Sequence, residues 1–196
     1  VAPGANARLS PEDVNAAEGR IAQADCLLLQ LEVPLVTVEA AAELARKHDV
    51  RVILNPAPAA SLPPSLLDAV DILTPNETEL AILAQESARG DFAAAARRYF
   101  GQLDLDVLIV TLGEQGALLL DGMQAVTIPA FKITPVDTTA AGDSFNGALA
   151  VALAEGNDFA TAIRFANAAA ALAATRAGAQ PSLPSRPEVE QMLNRG

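Results

Sequence analysis

Short runs of apolar residues alternate along the chain with longer stretches in which apolar residues recur at helical spacing. Four runs have the length of strands and are almost continuously apolar: 26–31, 50–54, 72–73 and 107–110. Continuous apolar character is typical of strands that are buried on both faces of a parallel sheet. The alternation therefore predicts βαβ units in a layered α/β fold, with a mainly parallel central sheet flanked by helices.

The stretches between and after these runs predict helices, a hairpin and loops. Between the first two runs, a helix with cations at its C-terminal end has an apolar face made of Val38, Ala41, Ala42 and Ala45. The runs 117–120 and 125–128 flank an Asp-Gly turn, which predicts an antiparallel hairpin. Two Ala-rich helices follow, one from near Ser144 and one from Phe159. Pro-rich stretches at 56–64 and 181–187 predict loops, and no linker divides the chain, so we expect a single domain over 1–196.

Composition and charge narrow the class of protein. A hydrophobic fraction of 51% excludes a disordered chain. The net charge of −11 argues against nucleic acid or an anionic membrane as a partner, because both select basic surfaces. The single Cys26 cannot form an internal disulfide, and the chain has no run of 18 apolar residues. We therefore expect a soluble, cytoplasmic protein, and the initial Val in place of Met suggests that the native N-terminus is absent.

The segment 137–143 (Asp-Thr-Thr-Ala-Ala-Gly-Asp) carries the clearest chemistry. Small residues at the start of a helix leave the first backbone amides uncovered, and these amides with the helix dipole form an anion site. Asp143 is then placed to accept a proton beside that site, which is what phosphoryl transfer to an alcohol requires. Alternatively, Asp143 is only an acid that favours the helix start.

The string at 137–148 resembles the C-terminal signature of the ribokinase-like (PfkB) carbohydrate kinases. Further segments resemble members of this family in the family's order, and they lie at 2–6, 30–32, 55–58, 74–79, 111–113 and 178–182. Together they cover nearly the whole chain. The resemblance implies an α/β kinase of the ribokinase-like fold that uses ATP, Mg²⁺ and an activating K⁺.

The resemblance also implies roles at individual positions. Asp143 matches the catalytic base that takes the proton of the sugar's primary hydroxyl, and the anion hole corresponds to Ala140, Ala141 and Gly142. Asn76 and Glu79 match the motif that organises phosphate and the water shell of Mg²⁺. The same spacing also fits a capping box, and both interpretations can hold together.

The nucleotide is assigned to two parts of the chain. The resemblance implies an ATP loop made of Thr111, Leu112, Gly113, Glu114, Gln115 and Gly116, with Gly142 and Asp143 also reaching the nucleotide. This loop lacks the ending of a Walker A sequence. Asn167 matches a residue near the adenine, although a polar residue on a helix is ordinarily a surface residue.

The resemblance places the monovalent cation on Asp137, Thr139, Ala173, Arg176, Gly178 and Ser182, most of them through backbone carbonyls. A hard cation held by carboxylate and carbonyl oxygens is chemically reasonable. Alternatively, Asp137 caps a turn and Gly178 ends a helix. Glu32 matches a residue that hydrogen-bonds the sugar, and it follows a strand at the end where open α/β sheets bind ligands.

The implied activity is phosphorylation of ribose at its 5-hydroxyl. Another sugar or nucleoside of the family's range is the alternative substrate, and a non-catalytic nucleotide-binding fragment is the alternative outside enzymes. The chain resembles about the C-terminal two-thirds of a family member. The opening strands, a Gly-Gly-x-Gly-x-Asn sugar segment and the lid strands that form the family's homodimer are expected to be missing.

Overall fold

A computed structural model describes residues 4–85, 92–122 and 124–195, so Ala2 and Pro3 of the first resembling segment lie outside it. Its six strands are β1 (Cys26–Leu29), β2 (Arg51–Leu54), β3 (Ile72–Leu73), β4 (Val107–Thr111), β5 (Ala117–Asp121) and β6 (Gln124–Ile128). They form one sheet in sequence order, and β1 to β4 pair in parallel. The connection between β5 and β6 is too short for a parallel crossover, so these strands form the predicted hairpin. The mainly parallel α/β fold is confirmed.

The helices of the described residues are α1 (Pro11–Ala16), α2 (Glu18–Ile21), α3 (Leu35–Lys47), α4 (Pro64–Leu67), α5 (Glu77–Leu83), α6 (Phe92–Phe100), α7 (Ala141–Ala154), α8 (Phe159–Ala174) and α9 (Arg186–Leu193). Short 3₁₀ turns occupy Asn6–Arg8, Gly113–Gln115 and Gln180–Ser182. Among these residues, no helix combines the length and apolar character needed to cross a bilayer.

The chain divides into two compact units. The first unit comprises Val1–Val110 and Leu120–Gln124, and the second comprises Thr111–Leu119 and Ala125–Gly196. In the first unit, the predicted face of α3 is buried, and β2, β3 and β4 supply fully buried side chains such as Ile53, Leu73 and Leu108. Burial of these branched side chains is the main stabilising term of this core.

The second unit is built on α7 and α8. Leu149 of α7 and Ile163 of α8 are fully buried, and most of the remaining buried positions of α8 are Ala. Ala side chains let two helix backbones approach closely, which explains why the Ala-rich composition is concentrated here. Ala168, Ala169 and Val189 form a further buried cluster that joins α8 to α9.

Three local predictions require correction. The strand predicted at 26–31 ends at Leu29, and it is only partly buried, with Leu28 41% exposed, because β1 lies at an edge of this sheet. The helix predicted from near Ser144 begins at Ala141. The Pro-rich stretches are not entirely loops, since Pro64 starts α4 and Pro187 lies in the first turn of α9, positions that need no N–H donor.

Candidate active site

The start of α7 is shaped by an unusual backbone conformation at Ala140. This residue precedes the helix with φ 61° and ψ 8°, in the left-handed region that disfavours a side chain. The turn is closed by two hydrogen bonds, from the amide of Ala141 to the carbonyl of Thr138 at 3.1 Å and from the amide of Ser144 to the carbonyl of Ala140 at 2.8 Å. The chain therefore enters α7 abruptly, with its first turn facing outward.

The amides of Gly142 and Asp143 have no acceptor among the hydrogen bonds of the described residues. Both residues are exposed, and a Cβ added to Gly142 would meet nothing within 4 Å. Because α7 is 14 residues long, its dipole adds a partial positive charge at this end. Ala140, Ala141 and Gly142 thus form an open turn whose donors are suited to an anion.

Asp143 lies in the same turn, as its third residue. Its carboxylate caps no helix, since Ala140 occupies the cap position, and it accepts no hydrogen bond within the described part of the chain. Asp143 is among the residues that line a cleft of about 280 Å³, with Val151 and Leu183 among its apolar walls. The geometry leaves an acceptor for a proton directly beside amides that suit a phosphate.

The segment before α7 is held by Asp137. Its Oδ1 accepts from the amide of Thr139 and its Oδ2 from the amide of Gly178, both at 2.9 Å. Hydrogen bonds from the Thr139 side chain, then from the Gly178 and Thr139 amides, lower the pKa of Asp137 to about 2. The carboxylate therefore stays charged and connects two segments 41 residues apart.

The C-terminal end of α8 is hydrogen-bonded to the same segment before α7. The amides of Val136 and Asp137 donate to the carbonyl of Ala174 at 2.8 and 3.2 Å. The amide of Arg176 donates to the carbonyl of Ala173, and the side chain of Arg176 pairs with Glu188 instead of reaching this loop. Ser182 is fully buried, and its hydroxyl donates to the carbonyl of Ala179 at 2.7 Å.

These oxygens fit a hard monovalent cation. Asp137 supplies a carboxylate that remains ionised, and the last turn of α8 and the loop after it supply backbone carbonyls. Within the described residues, no group of three or more His, Cys, Asp or Glu side chains suits a metal, so such a cation would depend mainly on backbone oxygens.

The predicted ATP loop is a closed turn between β4 and β5. The amide of Leu112 donates to the carbonyl of Gly116 at 2.7 Å, while Gly113 to Gln115 are exposed. Gly116 has φ +101°, and a Cβ there would lie 2.1 Å from the carbonyl oxygen of Ile128. Only glycine fits at this position, because another side chain would push residues 128–130 away from the loop.

Asn167 holds the same segment from the other side. It is 95% buried on α8, and its Nδ2 donates to the carbonyls of Ile128 at 3.1 Å and Pro129 at 3.2 Å. The expectation of a surface residue is wrong for this position. Gly116 and Asn167 thus both contact the end of β6 and the residues that follow it. The structure therefore places Asn167 beside the segment against which the predicted ATP loop packs.

In the first unit, Asn76 and Glu79 form a complete capping box at the start of α5. The side chain of Asn76 accepts from the amide of Glu79, and the side chain of Glu79 accepts from the amide of Asn76, both at 2.8 Å. Burial raises the pKa of Glu79, while the hydrogen bond from Asn76 opposes this shift. The capping interpretation is confirmed, and the carboxylate keeps an oxygen of the kind that binds a Mg²⁺ water shell.

Glu32 is exposed in a bend that begins after β1 ends, and its amide donates to the side chain of Gln30. Sequence reasoning missed Asn55, which links the carboxyl ends of β1, β2 and β3. The backbone amide of Asn55 donates to the carbonyl of Leu29 at 2.9 Å, and its side-chain Nδ2 donates to the carbonyl of Thr74 at 2.8 Å. The signal was available, since an amide side chain between a strand and a proline is suited to such bridging.

A mainly parallel α/β sheet and a helix N-terminus with exposed amides are each features that phosphate-binding proteins share. The model of the pfkB family carbohydrate kinases matches residues 1–186, and the chain belongs to this family.

The chain is similar to the ribokinase of Haemophilus influenzae, with 46% identity over 98% of this chain and 63% of that protein. It is 40% identical to the deoxyribokinase of Salmonella typhi, over 97% of this chain and 63% of that protein. The chain thus spans about 63% of the length of these relatives.

Solved structures agree with this assignment. The ribokinase of Thermotoga maritima superposes with a TM-score of 0.87 at 41% identity, over 98% of this chain and 63% of that one. The ribokinase of Arabidopsis thaliana, solved with ribose and ATP, superposes with a TM-score of 0.84 at 34% identity, over 94% and 59%.

Proposed function

We propose that the protein containing this chain transfers a phosphoryl group from ATP to the 5-hydroxyl of D-ribose and so forms D-ribose 5-phosphate. The observation that carries the proposal is the exposed carboxylate of Asp143 in the same helical turn as the unpartnered amides. Similarity to a ribokinase at 46% identity supports ribose as the acceptor.

Each group has a distinct part in this reaction. Asp143 accepts the proton of the attacking hydroxyl, while the turn at Ala140, Ala141 and Gly142 stabilises the charge that develops on the transferred phosphoryl group. The loop 111–116 and Asn167 hold the nucleotide. Catalysis of phosphoryl transfer rests mainly on such positioning.

Two cations belong to the proposal. Mg²⁺, when bound, neutralises charge on the phosphates, and Asn76 and Glu79 would hold its water shell. K⁺ would be held by Asp137, Thr139, Ala173, Arg176, Gly178 and Ser182, of which Asp137, Thr139 and Gly178 share one hydrogen-bond network. The segment that leads into the turn at Ala140, Ala141 and Gly142 would therefore also form part of the cation site.

Glu32 is the proposed sugar contact in this chain. The similarity to a deoxyribokinase makes 2-deoxyribose the second candidate substrate. A nucleotide-binding fragment without turnover is the alternative outside enzymes. We also propose a cytoplasmic location, where ATP and the sugar are found, and a homodimer for the whole protein.

The test is a substrate panel with the full-length protein. We expect ATP-dependent phosphorylation with the highest kcat/KM for D-ribose, followed by 2-deoxyribose, and lower values for fructose and nucleosides. A higher kcat/KM for 2-deoxyribose than for D-ribose would contradict ribose as the substrate and identify 2-deoxyribose in its place. Nucleotide binding without turnover on any of these acceptors would contradict the kinase activity itself.

A further inference from the structure

A second cleft, of about 670 Å³, lies in the second unit between residues 129–132 and the helices α8 and α9. Four basic side chains line it: Lys132, Arg164, Arg176 and Arg195. The chain has only 13 Lys and Arg against 24 Asp and Glu, so this is a marked concentration of positive charge in an acidic protein. Among the described residues that line it, Glu188 is the one acid.

The positive charge of this basic cleft is largely uncompensated. Arg176 pairs with Glu188, whose pKa is lowered to about 2 first by the amide and side chain of Ser185 and then by Arg176. Within the described ranges, Lys132, Arg164 and Arg195 have no carboxylate within ion-pair distance. Four cations and one carboxylate leave a lining charge of +3. Such a concentration of like charge in a concave site attracts small anions.

The floor of the basic cleft is apolar. Phe131, Leu172 and Met192 line it and pack against the buried cluster that joins α8 to α9. The guanidinium of Arg164 lies over the ring of Phe131, 5.1 Å from its centroid, which fixes the position of both groups. The cleft therefore combines an apolar surface with guanidinium groups at its walls.

One edge of the basic cleft is held rigidly. Pro129 receives a hydrogen bond from Asn167, and the chain on both sides of it packs against Gly116. No residue of the predicted nucleotide site (111–116, 142–143 and 167) lines the cleft. It is a preformed cavity distinct from the predicted nucleotide site, and its volume lies in the range of small-molecule sites.

We propose that the basic cleft binds a small organic phosphate, with the phosphate on the Arg and Lys side chains and the organic part on Phe131, Leu172 and Met192. Guanidinium groups bind phosphate oxygens in bidentate pairs, and a phosphate monoester with a charge of about −2 offsets most of the +3 of the lining. The net charge of −11 repels large polyanions such as nucleic acids, so a small anion is the ligand that this surface admits.

The experiment is calorimetric titration of the full-length protein with phenyl phosphate and with inorganic phosphate at constant ionic strength. We expect saturable binding of phenyl phosphate, about tenfold tighter than that of inorganic phosphate because burial of the ring adds to affinity. The double variant Lys132→Glu/Arg195→Glu should weaken binding by about tenfold or more, since two attractive charges become repulsive. Both side chains are exposed, so their replacement leaves the fold intact.

The matched control is Arg20→Glu/Arg46→Glu, which makes the same change in net charge at two exposed cations outside the cleft. It should bind phenyl phosphate within about twofold of the wild type. Equal weakening in both double variants would show a general charge effect and overturn the proposal. So would binding that the cleft variant leaves unchanged, or phenyl phosphate binding no tighter than inorganic phosphate.

Discussion

Two aspartates at the starts of Ala-rich helices differ in whether their carboxylates accept a hydrogen bond from the helix. Asp158 is the cap of α8, and its Oδ1 accepts from the amide of Thr161 at 2.8 Å. Asp143 lies in the first turn of α7 and has no such bond among the described residues. Asp158 is thus committed to helix stability, whereas Asp143 is open to a substrate.

This difference leads to a matched pair of variants in the full-length protein. Asp143→Asn should lower kcat for ribose phosphorylation by roughly 10²–10⁴, the usual contribution of a positioned general base. ATP affinity should change little, because the amide side chain fits the same turn. Asp158→Asn should leave kcat near the wild-type value. Steady-state kinetics with calorimetric ATP binding checks both, and a near-normal kcat for Asp143→Asn would remove it from the mechanism.

Gly116 is the second position where a single residue decides local structure. Gly116→Ala should destabilise the protein by about 2–4 kcal/mol, because the Cβ would overlap the carbonyl of Ile128 at a positive φ. Gly113 also has a positive φ, but a Cβ there would meet nothing within 4 Å. Gly113→Ala should therefore cost only about 1–2 kcal/mol. Urea unfolding compares the two, and equal losses would contradict the close contact.

At the scale of elements, Asp137 connects the segment before α7 with the loop after α8. A carboxyl whose pKa is lowered on folding stabilises the protein above its ordinary pKa of 3.8. That stabilisation is lost as the pH falls towards the folded value of about 2. The connection between the two segments should therefore weaken in acid.

The Asp137→Asn variant tests this connection. The difference in unfolding free energy between wild type and variant should be constant above about pH 5 and should shrink towards about pH 2, where the wild-type carboxyl becomes protonated. Urea unfolding across this range, together with hydrogen exchange at the amide of Gly178, measures the effect. A difference that does not vary with pH would show that these hydrogen bonds contribute nothing.

The segment before α7, which contains Asp137, also contributes to the proposed site for the monovalent cation. Replacing K⁺ by Na⁺ or Li⁺ should reduce turnover of the full-length protein, because a smaller ion draws the carbonyl oxygens inward and disturbs the turn at Gly142. Asp137→Asn should remove most of this selectivity. Initial rates in the three chloride salts at equal ionic strength provide the measurement. Equal rates in all three salts would count against the site.

At the scale of the whole molecule, β1 is an edge strand of the sheet that is covered only in part. It pairs only with β2 in this sheet, and none of its four residues is buried. An unpaired apolar edge of this kind templates association with other chains. We therefore expect residues 1–196 to aggregate when they are purified alone.

The isolated chain should also be a poor kinase. It contains the proposed nucleotide contacts, but its proposed sugar contacts are limited to Glu32 and Asp143. Phosphoryl transfer depends on an enclosed site that excludes water. We expect measurable ATP binding and weak or absent ribose phosphorylation. Calorimetry and a coupled assay against the full-length protein test this. Turnover equal to the full-length protein would show that the remaining third supplies nothing essential.

Local sequence pattern alone was sufficient to predict the α/β class, the buried face of α3, the hairpin and the capping box of Asn76. These features depend on neighbouring residues, whose period and hydrogen-bonding groups are visible in the sequence. The small residues before α7 likewise indicated an open helix start, and the motif indicated the family that the comparison then showed.

Other features were decided only by tertiary structure. The burial of Asn167, the need for glycine at 116 and the partial exposure of β1 arise from segments that are distant in sequence. The basic cleft gathers cations from three separate segments, so no local pattern could have predicted it. Long-range packing determines which side chains meet, and the periodicity of one segment contains no information about the other segments that will lie against it.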